Sequence, residues 1–342
     1  MNTIEQMIQN KAYELGYEKC GIIPVHAMKD YAEKFEERIQ KVPESKMFYQ
    51  GQRRLLNPLD KYPWAKSIVV LASRYGKYKI PKYVKDHIAK AYLFDIRVDA
   101  NSKEFQNSQN LEQYMQQLGL KTAADHKFGI VGLRWAAMQA GLGIIRRNNF
   151  FYTQYGSWMH IEAWLTDKDM ELIETHNLQK CPNGCNRCIT ACPTHSLSSP
   201  YTMLPTACIS YLTTFGGRDL PHEPLRKNFG NCIYGCDVCQ DVCPMNRGKW
   251  EENYNFPNLS ELAPFLTPEN ILNMEEEFYR KQIQPKFFYL SGSELWKWKV
   301  DVLCFMGNNY QEKYKPYITA ACENKNEKIR EMAQLICSEL YA

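Results

Sequence analysis

Cys181-Pro-Asn-Gly-Cys-Asn-Arg-Cys-Ile-Thr-Ala-Cys-Pro193 is answered downstream by Cys236-Asp-Val-Cys-Gln-Asp-Val-Cys-Pro244, and Cys208 stands between the two runs. Nine of the 13 cysteines fall between residues 181 and 243. Eight of those nine form two interlocked sets of four. Thiolates are soft, negatively charged ligands, and sets of four suit iron–sulfur clusters. A chain built around them handles single electrons.

The bacterial two-cluster run is C-x2-C-x2-C-x3-C-P, with the fourth cysteine ligating the other cluster. Here the first run is one residue longer between Cys181 and Cys185. Gly184 inside that insertion can take positive φ and absorb it. The crossing rule assigns Cys181, Cys185, Cys188 and Cys243 to one 4Fe-4S cubane, and Cys192, Cys208, Cys236 and Cys239 to the other. Zinc sites also use four cysteines, but zinc needs neither the C-x3-C-P tails nor crossed ligation. Cys232 is the spare of the segment, either an alternative ligand or a packed, unligated thiol. Cys20, Cys304, Cys322 and Cys337 sit in apolar patterns and read as buried.

At 342 residues the chain is long enough for a core in two or three pieces. Its 44% hydrophobic and 23% charged residues are those of an ordinary globular protein. A net charge of +4 permits a nucleic-acid partner without demanding one. No apolar run reaches the ~18–20 residues that span a bilayer, so no membrane association is expected. The first residues lack a secretory or twin-arginine pattern, which points to the cytoplasm. Thiols stay reduced there, and clustered cysteines mean metal rather than disulfides.

Working outward, Ile4, Met7, Ile8, Ala12 and Leu15 recur at near-helical spacing. Residues 20–25 and the apolar run 67–72 read as strands, the second buried on both faces. Residues 86–118 carry a helical pattern. Residues 133–140 form a small-residue helix that stops at Gly141-Leu-Gly143, and 158–165 alternate as a strand. Strands and helices mix without a β-α-β repeat, which favours an α+β fold. Residues 181–250 have little room for a core of their own, so ligands replace one. Beyond Trp250 the segments 269–280, 293–306 and 327–341 are helical, the last two like a helical-repeat pair. The expected division is 1–175, 176–250 and 251–342.

Cys208-Ile-Ser-Tyr-Leu-Thr213 followed by Gly230-Asn-Cys-Ile-Tyr-Gly-Cys-Asp-Val-Cys-Gln-Asp-Val-Cys-Pro244 resembles the epoxyqueuosine reductase family, cobalamin-dependent iron–sulfur enzymes of tRNA queuosine synthesis. The likeness extends upstream through Tyr155-Gly-Ser-Trp158 and Ala140-Gly-Leu-Gly143, over roughly residues 50–250. It implies a nitroreductase-like, corrinoid-binding N-terminal domain, a ferredoxin-like module with two 4Fe-4S clusters, and a HEAT-like helical cap. The corrinoid would be held base-off and reduced to Co(I) by the cubanes. No Asp-x-His-x-x-Gly run is present, so no histidine is indicated as lower ligand. By resemblance Ser210 and the Cys236-Asp237 pair lie against the corrinoid, joined by Phe151, Ile161 and Arg54. A ferredoxin- or flavodoxin-type donor and tRNA are the implied partners.

The family's Arg-Asp-Tyr-His motif, whose aspartate protonates the substrate, is altered. Here the stretch reads Ala91-Tyr-Leu-Phe-Asp-Ile-Arg-Val-Asp99. Asp95 matches with a one-residue gap and is the expected catalytic acid, but Ile96-Arg97 replaces Tyr-His. The Gly-Lys after the glycine motif is replaced by Arg146-Arg147. The leading reading is reduction of epoxyqueuosine to queuosine in tRNA. The alternatives are a corrinoid reductase of another small substrate, akin to reductive dehalogenases, or an electron-transfer partner without its own substrate.

Three further patterns admit two readings each. Lysines and tyrosines interleave over residues 75–92, as in an RNA-binding strip or a solvated loop. Arg146-Arg147 suits forked hydrogen bonds to a corrinoid or a plain surface pair. His160 is a proton donor or a satisfied core histidine. Gly141-Leu-Gly143 lacks the third glycine and the preceding strand of a dinucleotide fingerprint.

Overall fold

The computed structural model describes residues 2–94 and 100–341. The chain starts with the helix Ile4–Glu14, which Thr3 and Gln6 close in a reciprocal capping box (3.3 and 3.2 Å). It then enters a four-stranded sheet ordered Lys19–Pro24, Ser67–Arg74, Met159–Thr166, Thr122–Ala123. Every pairing is antiparallel, with Cys20 opposite Leu71 and Ile68 opposite Leu165. That meets the expectation of an α+β arrangement.

The 67–72 run is apolar throughout because both faces of the sheet are covered. Ile68 and Val70 point into one core with Ala136, Ala137, Ala140 and Leu142. Val69 and Leu71 point into another with Ile8, Ala12, Leu111, Met115 and Trp164. The helix Leu133–Gln139 lies close on the sheet because its contact residues are alanines. Its turn needs two glycines for space. A Cβ on Gly141, itself at φ 72°, would stand 1.8 Å from the Glu174 carbonyl, and one on Gly143 would stand 2.1 Å from that of Tyr152. The motif is a packing turn.

Two helical expectations need correcting. Among the described residues, 86–118 include the helices Lys90–Phe94 and Lys103–Gln117, the second begun afresh by the Ser102 hydroxyl accepting from Phe105 N–H (3.1 Å). Residues 269–280 are broken into Pro268–Leu272, Glu276–Phe278 and a π turn at Tyr279–Ile283. Asn273 ends the first piece, and Glu275 is extended before the second. Asp95 and residues 96–99 lie outside the described residues.

The third and largest core crosses both expected boundaries. Tyr75, Phe94 and Trp158 from the sheet side meet Ile233 and Tyr234 of the cysteine segment and Trp298 of the C-terminal helices. The last helices, Leu295–Asn308, Lys315–Ala321 and Glu327–Tyr341, are therefore fused to the rest. Cys20 and Cys304 are buried as expected. Cys322 and Cys337 are only half-buried and face each other, Sγ to Sγ, at 3.3 Å. Among the described residues no helix is long and apolar enough to cross a membrane.

Two ion clusters carry testable consequences. Arg226 is fully buried and bridges Glu223 to Glu339, while Lys227 reaches the other Glu339 oxygen at 2.5 Å. These contacts hold the final helix against the cysteine segment. Arg226→Ala is expected to cost about 3 kcal/mol or somewhat less, because Glu339 keeps partial access to water. A lowered urea midpoint with unchanged slope checks it.

On the other side, His126 lies between Glu112 (3.8 Å) and the buried Glu162 (3.6 Å). Burial alone would lower its pKa, but the two carboxylates outweigh it and raise it from 6.5 to about 9. A raised histidine stabilises fully below its unfolded value and loses that contribution as pH climbs through the folded one. The melting temperature is thus expected to fall by roughly 5 °C between about pH 7 and pH 10. His126→Gln should remove that slope.

Candidate redox site

The regular structure of residues 176–250 is confined to short turns and four-residue helices, Arg187–Thr190, Ile209–Leu212, Leu225–Asn228 and Val238–Asp241. The first and last of these carry the last cysteine but one of their runs, Cys188 and Cys239, and each ends just before a Cys-Pro pair. The repeated sequence thus makes a repeated local shape.

The thiols couple electrically in the crossed pattern. Cys188 is raised by burial and then by Cys243 and Cys181. Cys208 is raised by burial, with Cys236 and Cys192 adding to it. Cys239 is pushed well up by burial and by Cys236, Cys208 and Cys192. Buried thiols so arranged resist ionisation unless positive iron offsets their charge, which is the chemistry of a cluster ligand set. Among the described residues no three His, Cys, Asp or Glu side chains converge on a single ion. Cys232 hydrogen-bonds Cys236, and that contact together with burial pushes the Cys236 thiol up.

The N-terminal part holds this module through a polar clasp. Arg146 donates to the Gln179 carbonyl (2.9 Å) and lies 3.9 Å from Cys181 Sγ, and Arg147 donates to the Cys185 carbonyl (2.7 Å). The arginine pair therefore anchors the first cysteine run, a role neither expectation contained. Asn148 donates to the Cys239 carbonyl (3.0 Å) and to the Tyr152 hydroxyl (2.9 Å). Tyr152 in turn hydrogen-bonds Cys243; burial and that thiol raise its pKa. Ser157 donates to Gln240 (2.8 Å) and accepts from Asn246 (2.8 Å), so the Tyr155-Gly-Ser-Trp158 motif is a docking surface.

Ser210, Cys236 and Asp237 gather at one helix, Lys90–Phe94. The Ser210 and Tyr92 hydroxyls lie 2.9 Å apart. Asp237, next to Cys236, accepts from Lys90 N–H (2.7 Å) and from Gln240 (2.8 Å). Burial pushes the Asp237 carboxyl up against the pull of Lys90. Burial works to lower Lys90, yet Asp237 and Asp241 outweigh it and raise the ammonium. The helix gripped in this way is the one that leads directly to Asp95. A cavity of about 850 Å³ opens beside it, lined by Lys90, Trp158, Arg187, Cys243, Arg247 and Trp250.

Phe151 is buried and Ile161 half-buried on the sheet-side core with Ala136 and Leu142. Arg54 is exposed and donates to the Phe128 (3.2 Å) and Gly129 (2.9 Å) carbonyls while pairing with Asp125. No described hydrogen bond joins these three to the Ser210 group. A corrinoid is an apolar macrocycle edged with amides, and it needs apolar walls and free donors. Trp135 Nε1 and Asn149 Nδ2 are buried donors without a partner among the described residues. They lie beside Arg134, whose guanidinium feels Cys239. The residues present fit such a group.

Of the interleaved strip, Tyr75 and Tyr78 are core residues at 3% and 5% exposure, which removes them from any RNA surface. Lys77 pairs with Glu18 and Lys90 with the two aspartates. His160 is half-buried, its ring 5.7 Å from Phe94. Lys90 and Tyr92 were legible only as members of that strip; their contacts with Asp237 and Ser210 have no sequence signal.

Residues 180–246 match the 4Fe-4S double cluster binding domain. An epoxyqueuosine reductase from Cellulophaga algicola is 31% identical over 261 residues, covering 72% of this chain and 81% of that relative. The Bacillus subtilis enzyme of the same name is 33% identical over 171 residues, 48% of this chain and 41% of that one. Among solved structures, an epoxyqueuosine reductase with an epoxyqueuosine-modified tRNA-Tyr stem loop superposes with TM-score 0.76 at 21% identity, over 97% of this chain and 89% of that one. One from Streptococcus thermophilus gives 0.74 at 21%, over 99% and 100%. At those identities the superpositions speak for the fold, while the sequence match across most of both chains establishes descent: this chain belongs to the epoxyqueuosine reductase family.

Proposed function

We propose that this protein reduces epoxyqueuosine to queuosine in tRNA, using two 4Fe-4S clusters and a base-off cobalamin, in the cytoplasm. Each turnover takes two electrons and two protons, and the epoxide oxygen leaves as water. When bound, the clusters carry single electrons from a ferredoxin- or flavodoxin-type donor and the corrinoid delivers them to the epoxide. The observation that carries the reading is the convergence of Ser210 and Asp237 on the helix that leads to Asp95. Through it the cysteine module is tied to the N-terminal part of the chain.

The chain's own residues bind, orient and protonate. Phe151 and Ile161 supply apolar wall, and Trp135 and Asn149 supply donors for peripheral amides. Ser210 and the Cys236-Asp237 pair form the wall on the cluster side. Asp95 delivers a proton to the epoxide oxygen. Arg146, Arg147 and Asn148 keep the cluster loops at fixed distance from that wall. The division into 1–175, 176–250 and 251–342 serves as a functional map, with the core shared across its boundaries. No feature of the site favours another small substrate or a carrier without one.

The test uses full-length protein reconstituted without air and supplied with tRNA carrying epoxyqueuosine and a strong reductant. Mass spectrometry should find a nucleoside lighter by one oxygen, and the protein should retain stoichiometric cobalamin. Iron without corrinoid, or corrinoid without conversion, overturns the assignment.

A further inference from the structure

Six aromatic side chains from four distant segments touch one after another. Phe48 meets Tyr211 (5.0 Å), Tyr211 meets Phe215 (5.0 Å), and Phe215 stacks on Tyr289 (5.5 Å, 25°). Tyr289 stacks on Phe288 (4.8 Å, 23°), and Phe288 meets Phe128 (6.4 Å). Arg54 closes the circuit by holding the Phe128 carbonyl from the segment that carries Phe48. Behind the ring, Tyr289 touches Tyr92 (5.4 Å), whose hydroxyl meets Ser210. The ring thus fronts the wall of the reaction site.

Its outward members are unusually exposed. Phe215 is 46% and Phe128 55% accessible, and Met47 beside Phe48 is 85%. Exposed apolar surface assembled from separate segments marks an interaction site. Gly216 permits the arrangement, since a Cβ there would lie 2.3 Å from the Tyr211 ring. Positive charge accompanies the rings. Lys127 lies over both Phe128 (5.4 Å) and Phe288 (5.1 Å), and Lys46, Arg54 and Arg218 are exposed in the segments that carry Phe48 and Phe215. The nearby acids Asp125 and Asp219 are each in an ion pair, with Arg54 and Lys328. Aromatic faces interleaved with cations suit unpaired nucleobases on a phosphate backbone.

The geometry points to this ring, through Phe128 and Phe215 above all, as the stacking platform that holds unpaired loop nucleotides of the tRNA while one base enters the site behind it. The assignment deepens the proposed function, on which the choice of tRNA rests. Both phenylalanines act as positioning residues.

The experiment measures affinity by fluorescence anisotropy for an unmodified anticodon stem-loop RNA and for a blunt RNA duplex of equal length, with iron-loaded full-length protein. Phe215→Ala and Phe128→Ala should each weaken stem-loop binding about tenfold, leaving duplex binding and iron content unchanged. Phe215→Trp should restore it. If an alanine variant loses iron, Phe215→Leu keeps the bulk without the aromatic face and should still bind weakly. Native affinity in the alanine or leucine variants overturns the proposal, as does equal loss in the tryptophan variant or equal binding of duplex. Impaired reduction by a protein electron carrier with intact RNA affinity would assign the ring to that partner instead. Binding needs no turnover, so failure here is distinguishable from failure of the reductase assignment.

Discussion

Cys243→Ala is expected to remove the cluster of the first cysteine run and leave that of the second. Iron should fall from roughly eight to roughly four atoms per chain, and turnover should cease. Adding Cys181→Ala to that variant should cost no more iron, whereas adding Cys192→Ala should remove the remainder. The reason is the crossed coupling: Cys188 feels Cys243, and Cys239 feels Cys192. If each run served its own cluster, both double variants would lose all their iron, so iron retained when Cys181→Ala is added to Cys243→Ala is the deciding result. Iron and sulfide analysis on anaerobically purified protein decides it. Loss of both clusters in the single variant would mean that one cubane cannot form alone, and an absorption spectrum during stepwise iron addition would show that cooperativity.

Asp95→Asn should reduce conversion of epoxyqueuosine-containing tRNA by about 10²–10⁴-fold, the range for removing a positioned general acid. Iron content and stem-loop affinity should stay at native levels, because the amide keeps the shape and loses only the proton. Asp99→Asn is the internal control from the same stretch and should leave the rate unchanged. The physical ground is the anchoring of Lys90–Phe94 from two sides, at Tyr92 by Ser210 and at Lys90 N–H by Asp237. Full activity in Asp95→Asn removes it as the acid, and equal losses at Asp95 and Asp99 would point to the segment's shape.

Much of the sheet was readable because its signals are local. The 67–72 run, the alanine-rich helix and the alternation after Trp158 each state a burial pattern within one element. The break after Leu272 and the fresh helix start at Lys103 were not readable, since apolar spacing continues across them. The tyrosines of the basic strip misled for a related reason. Tyr75 and Tyr78 look like an RNA surface beside their lysines, but Phe94, Trp250 and Phe256 arrive from elsewhere to bury them. Arg146 likewise reads as a surface charge until Gln179 and Cys181 are placed against it.

The double-cluster module was legible because ligation is a short-range rule. A C-x2-C step sets two thiols within one turn of backbone, and the proline after the last cysteine ends that turn, whatever surrounds it. The expectation of two clusters and one-electron chemistry follows from that spacing alone, and the match to the 4Fe-4S double cluster binding domain agrees with it. The wall beside them does not. Ser210 meets Tyr92 across 118 residues, and Asp237 meets Lys90 across 147. The aromatic ring joins Phe48 to Tyr289 through side chains that share no periodicity. Contacts of that range are selected by the packing of whole elements on a shared core, a property of the folded chain that no window of residues contains.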